Sequence, residues 1–122
     1  MANEELLYRI SMLEQEAKKV EEDIKSLNGQ ITEFESLKLS LASLDKDILA
    51  GLGKGVYFKS KAEDSNLLVN VGCNILVKKN KAQTSQLVDK QIKNIEELKL
   101  KLLEHIELLN KEMGNLISSV SG

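Results

Sequence analysis

The chain has no proline, no tryptophan and a single cysteine, and aromatics make up only 3% of its 122 residues. Each shortage excludes something. Without proline, nothing forces a helix to kink or stop, so long uninterrupted helices are open to this sequence. With two tyrosines, two phenylalanines and no tryptophan, the large rings that usually fill a compact core are scarce. One cysteine, Cys73, cannot form an internal disulfide and fits a reducing compartment. An excess of one charge is also lacking: the net charge is −2 and the pI is near 5.5. A general phosphate-backbone binder would be basic, so no nucleic-acid partner is expected. No apolar run approaches the roughly 18 residues of a membrane span, and no signal peptide precedes the charged start. A soluble, cytoplasmic protein without a membrane partner is expected.

What is present is heptad spacing. Leu6, Ile10, Leu13, Ala17, Val20, Ile24, Leu27, Ile31 and Phe34 follow a 4-3 apolar rhythm. That rhythm keeps one stripe facing a partner helix. Lys38 then takes the next seam position, and the stripe re-forms on Leu37, Leu41, Leu44 and Ile48. Such a skip locally overwinds a supercoil. The C-terminal part repeats the pattern through Val88, Ile92, Ile95, Leu102, Ile106, Leu109, Met113, Leu116 and Val120, with Lys99 the one polar interruption. Asn80, with Gln83 three residues on, marks its start as a capping box. The pattern predicts helices over about 3–46 and 81–119, each roughly 60 Å long at 1.5 Å per residue. Two equal stripes joined by a short connection predict an antiparallel helical hairpin, within one domain spanning 1–122.

Between the helices, "GLGKGVYFKS" (51–60) raises the question of a phosphate loop. Its spacing is wrong for one. A Walker loop needs Ser or Thr after the lysine, and Gly55 follows Lys54 here. The dinucleotide fingerprint needs G-x-G-x-x-G before a helix, and strand-like "VYFK" follows instead. The better reading is an internal repeat. "LAGLGKGVYFKS" (49–60) and "LVNVGCNILVKK" (68–79) superpose with an offset of 19. Each half reads as strand, Gly-led turn, strand. Turns are expected near Gly53-Lys54 and Gly72-Cys73, of type II′ because Gly comes first. The β region is placed at about 47–79. Two short hairpins cannot stand alone in water, and the helical hairpin reads as too narrow to cover them. Their apolar residues are therefore expected to form an oligomer interface: Ile48, Leu49, Leu52, Val56, Phe58, Leu67, Val69, Val71, Ile75 and Val77. The fold class is mainly α with a small β region that oligomerises.

The helix ends away from the hairpins break the polar rule outside the seam. Leu7, Tyr8 and Met12 are off the stripe, opposite Met113, Leu116, Ile117 and Val120. Together with seam residues Leu6, Ile10 and Leu13, they form a candidate binding surface that a monomer has no reason to keep. Frayed termini with incidental hydrophobes are the bland alternative. Leu98, Leu100, Leu103 and Leu108 widen the apolar face in mid-helix, either for a ligand or for a neighbouring arm. His105 lacks a Cys or His partner at ligand spacing, and Cys73 reads as a turn residue. No cofactor, metal or catalytic residue is expected.

This layout resembles the α-class subunits of prefoldin, and the resemblance spans essentially the whole chain. Its most specific parts are "LGKGVYFK" (52–59) and "LLVNVGCNILVKK" (67–79), followed by the capped helix from Asn80. These are similar to the paired strand–Gly–strand elements of archaeal α subunits. Gly51 stands where many relatives have proline, and Cys73-Asn74 replaces a small Ala/Ser–Gly pair. The resemblance implies an ATP-independent chaperone in which two α and four β subunits build a double β-barrel platform carrying coiled-coil arms. The arm tips would hold unfolded clients and pass them to a group II chaperonin. It implies β-class subunits as partners and assigns the apolar tip to clients. Two alternatives stay open: an α-type paralogue that assembles with itself into a homo-oligomer or filament, and a coiled-coil adaptor for one specific partner.

Overall fold

The computed structural model describes residues 2–44 and 47–121. Helix α1 spans Ala2–Ala42 and helix α2 spans Lys81–Ser121. Between them lie β1 (Asp47–Gly53), β2 (Val56–Lys61), β3 (Leu67–Asn70) and β4 (Leu76–Lys79). The strands make two separate antiparallel hairpins, β1-β2 and β3-β4. No barrel closes within the single chain. By packing, the chain divides into two units. One joins α1 as far as Thr32 to α2 from Ile92; the other is Glu33–Gln91.

The first unit is a two-helix seam. Ile10, Ala17, Val20, Ile95 and Leu109 are buried along it. Ala17, Val20 and Leu109 form its centre, with Leu13, Ile24, Leu102, Ile106 and Met113 packed around them. These are the residues of the 4-3 rhythm. Arg9 Nη2 lies 3.6 Å from Glu112 Oε1, and His105 Nε2 lies 3.1 Å from Glu16 Oε1. Early α1 residues thus meet late α2 residues, so the helices run antiparallel in this unit. Exposed pairs of this kind contribute about 0–1 kcal/mol, so the apolar seam carries the association.

The second unit holds both hairpins and the helix ends nearest them in sequence. The capping box forms in both directions. Gln83 N–H donates to Asn80 Oδ1 at 2.8 Å, and Asn80 N–H donates to Gln83 Oε1 at 3.0 Å. The buried Thr84 hydroxyl donates to the Asn80 carbonyl at 2.9 Å. These bonds satisfy groups that a helix start leaves open. At the other helix, the expected extent to 46 shortens. α1 closes at Ala42, Ser43 bonds back to the Leu39 carbonyl, and Lys81 Nζ donates to the Leu44 carbonyl at 3.3 Å. Asp45 and Lys46 lie outside the described residues. Lys38, at the expected break in the stripe, pairs with Asp89 of α2.

The two hairpins share one turn design, which corrects the type II′ expectation. The loop residues are Lys54-Gly55 and Cys73-Asn74, one position later than expected. Lys54 has φ 54° and Gly55 φ 79°, while Cys73 has φ 50° and Asn74 φ 60°. Positive φ at both loop residues is type I′, the hand that matches strand twist. The glycine that precedes each loop is also positive, Gly53 at 107° and Gly72 at 117°. A register shift between Gly51 and Gly53 leaves Leu52 as an extra residue opposite β2. Asn70 pairs with Leu76, as Gly51 pairs with Tyr57. The 19-residue offset of the sequence repeat is therefore also an offset in backbone conformation.

A second correction concerns β3. Leu67 and Val69 are half-buried and Leu68 is exposed, so one face of this strand is covered. Within the second unit, Phe34, Leu37 and Leu41 of α1, β3, and Thr84, Leu87 and Val88 of α2 line a groove of about 540 Å³. The expected shift of the α1 stripe at Lys38 does not occur: Leu37 and Leu44 are exposed, Lys38 is half-buried and Leu41 is buried, so the 4-3 rhythm runs on through Lys38 to Leu41. Unlike β3, the β1-β2 hairpin has no such shelter. Its side chains are exposed apart from Ser60.

Candidate functional site

Among the described residues, no group of three or more His, Cys, Asp and Glu could hold a metal ion. Cys73 is an exposed thiol in the tip of the second hairpin turn. His105 bonds to Glu16 across the helix pair. Among the described residues, no helix is long and apolar enough to cross a membrane. Lys54, the lysine of the glycine-rich stretch, is a loop residue of a β-turn followed by strand β2, so the segment after it is a strand and not a helix. The anion site of a phosphate loop requires a helix start.

Exposed apolar side chains are spread along the described residues, Leu37, Leu39 and Leu44 of α1 among them, and two groups coincide with the candidates read from the sequence. The first is in the helical unit. Leu7, Tyr8 and Met12 on α1 and Ile117 on α2 are 56%, 67%, 47% and 51% exposed. The other candidates there divide by heptad position. Ile10 is buried, and Leu6, Leu13, Met113, Leu116 and Val120 are half-buried in the seam. Glu4, Glu5, Tyr8 and Arg9 line one shallow groove beside this patch. Arg9, Met12, Leu13, Gln15, Glu16, Lys19 and Glu112 line another. Exposure is arranged by position: a residue one step off the stripe on a two-helix seam has no third helix to cover it. Leu98, Leu100, Leu103 and Leu108 are exposed on α2 for the same reason.

The second surface belongs to the hairpins. Leu49, Leu52, Val56, Phe58, Val71 and Ile75 are exposed, and Ile48 and Val77 only marginally so, while Leu67 and Val69 are half-buried; Leu67, Leu68, Val69 and Val71 all line the groove. Tyr57, Leu68 and Leu76 are exposed too, at 64%, 65% and 58%. These three were not among the interface candidates read from the sequence. Both faces of the strands carry apolar residues, a pattern visible in "GVYF" and "LLV", and one that belongs to strands covered on both sides. Among the described residues, each two-stranded sheet also leaves both outer edges without a strand partner. An exposed apolar strand with an open edge is a template for pairing with another chain.

Comparison with known proteins agrees with this geometry. The prefoldin subunit family profile matches residues 13–121. A relative named prefoldin subunit alpha 1, from Thermococcus kodakarensis, is 29% identical over 96 residues. That match covers 74% of this chain and 66% of the relative, a little under two thirds of its length. Among solved structures, a filamentous PFD from Methanocaldococcus jannaschii superposes with a TM-score of 0.55 at 22% identity, covering 97% of each chain, a likeness of fold. Two long helices with two antiparallel hairpins between them, and a family profile spanning nearly the whole length, place this chain in the prefoldin family, in agreement with its alpha class.

Proposed function

We propose that this chain is a chaperone subunit that holds unfolded proteins on the exposed apolar patch of its helical unit, without nucleotide, in the cytoplasm. The observation that carries the reading is the exposure of Leu7, Tyr8, Met12 and Ile117 beside the helix termini. Prefoldins are a chaperone family, and these four side chains offer mainly apolar area. Burial of one such side chain contributes about 1.5–3 kcal/mol at most, so one subunit holds a client weakly. Several subunits acting on one client supply the hold by effective concentration, while each contact still releases fast. The adaptable Met12 suits varied partners. Assembly is assigned to the hairpins, through their open edges and exposed Leu49, Leu52, Val56, Phe58, Val71 and Ile75, with β-class subunits as partners. A group II chaperonin is the proposed recipient of clients.

Self-assembly into a homo-oligomer or filament is the second reading. It is favoured by two hairpins that each leave two edges unpaired, and by the filamentous state named for the M. jannaschii structure. Such contacts extend without limit if their rotation does not close. The experiment for client holding changes Leu7, Tyr8, Met12 and Ile117 together to Ser. Suppression of aggregation of a chemically denatured test protein should be lost while subunit mass in solution stays unchanged. Undiminished protection would place the client surface elsewhere.

A further inference from the structure

The near-neutral net charge hides an uneven distribution. In residues 2–16, Glu4, Glu5, Glu14 and Glu16 stand against Arg9 alone. In residues 104–121, Glu104, Glu107 and Glu112 stand against Lys111 and the weakly basic His105. The helix termini of the first unit are thus strongly acidic. The β region is the reverse: from 47 to 81, six lysines face Asp47, Glu63 and Asp64. The acidic excess is therefore local to the helical unit and not a property of the chain as a whole.

Two of these carboxylates sit directly beside the apolar patch. Glu4, Glu5 and Tyr8 share one groove, with Arg9 as its only cation. Arg9 is drawn toward α2 by Glu112, 3.6 Å away. Glu16 likewise faces His105. Glu4 and Glu5 have no ion-pair partner among the described residues. A tyrosine ring two-thirds exposed, next to two unpaired carboxylates, fits the side chain of a lysine or arginine. Its alkyl stem lies on the ring while its cationic head reaches the carboxylates.

We infer that this surface discriminates among unfolded chains by charge, taking apolar segments that carry lysine or arginine in preference to equally apolar acidic ones. The inference rests on the client-holding reading above and names the client class for that same patch. Cationic segments gain the groove of Glu4, Glu5 and Tyr8 in addition to apolar burial. Acidic segments meet like charge at the same place, which both weakens binding and slows encounter.

The test uses two fluorescein-labelled disordered peptides with identical Leu and Phe positions, one with Lys and one with Glu at every polar position. Anisotropy is measured against the full-length assembled protein. At low ionic strength the Lys peptide should bind about tenfold tighter or more, since two close charge pairs near a surface are each worth several-fold in affinity. At about 0.5 M salt, where the Debye length shrinks to a few ångströms, the two peptides should converge. Glu4→Gln with Glu5→Gln should reduce the low-salt preference several-fold while leaving binding at high salt unchanged. Equal affinities at low salt, or a preference untouched by the two substitutions, would overturn the inference and leave client holding intact. If neither peptide binds and a denatured test protein is not protected, client holding itself fails. If neither binds and Tyr8→Ser lowers subunit mass in sedimentation, the patch belongs to a second copy of the chain, and the inference fails by that route.

Discussion

Leu108 and Leu109 are adjacent in sequence and opposite in environment, so alanine at each position weighs the seam against the surface. Leu109 is 4% exposed and packs with Ala17 and Val20; Leu108 is 66% exposed. Leu→Ala in a well-packed core costs about 2–5 kcal/mol, from lost transfer energy and the cavity left behind. A two-helix seam lies at the low end of that range. No large side chain is fully buried here, so the flanking residues and water relax into the gap. Leu109→Ala should therefore cost about 2–3 kcal/mol. Leu108→Ala should stay within about 0.5 kcal/mol, as surface changes do. Urea denaturation followed by far-UV circular dichroism reads both. Subunit concentration must be held fixed because assembly adds to apparent stability. A near-neutral Leu109→Ala would refute the helix register. A Leu108→Ala as costly as Leu109→Ala would show that Leu108 packs against a neighbouring subunit.

Two further outcomes concern the hairpins. Val71→Asp or Ile75→Asp should dissociate the assembly in size-exclusion chromatography while leaving helix content largely intact, because both side chains are exposed in the single chain; an unchanged size would remove the hairpins from the interface. Gly53→Ala or Gly72→Ala should destabilise its hairpin by about 1–3 kcal/mol, because a φ near 110° is strained for any L side chain even though an added Cβ meets nothing within 4 Å; unaltered assembly and thermal stability would contradict that backbone geometry.

How much of this was legible in the sequence depended on how local the signal was. The seam from Ile10 to Leu109 follows from heptad spacing, because each helix turn repeats the same constraint. The capping box at Asn80 and Gln83 is equally local and forms as read. The 19-residue repeat located both hairpins, but the turn type was misassigned. A glycine leads each turn, yet the residues that carry the I′ loop are Lys54 and Cys73, side chains that ordinarily resist positive φ. Nothing in their identity announces that conformation; pairing of the flanking strands imposes it. The shelter over Leu67 and Val69 depends on how α1 and α2 sit around β3 within one unit, which no local pattern encodes. At the candidate client surface the off-seam residues were legible as exceptions to a polar rule.

The most direct measurement of client holding is site-specific photo-crosslinking to a denatured client. A photoreactive residue is placed in turn at Tyr8, Met12, Leu108 and Tyr57, all exposed or nearly half-exposed positions. Crosslinks to the client should concentrate at Tyr8 and Met12, with Leu108 weak and Tyr57 linking only to neighbouring subunits. Client crosslinks confined to Leu108 or Tyr57, with none at Tyr8 or Met12, would contradict the assignment of the client surface to the helix termini.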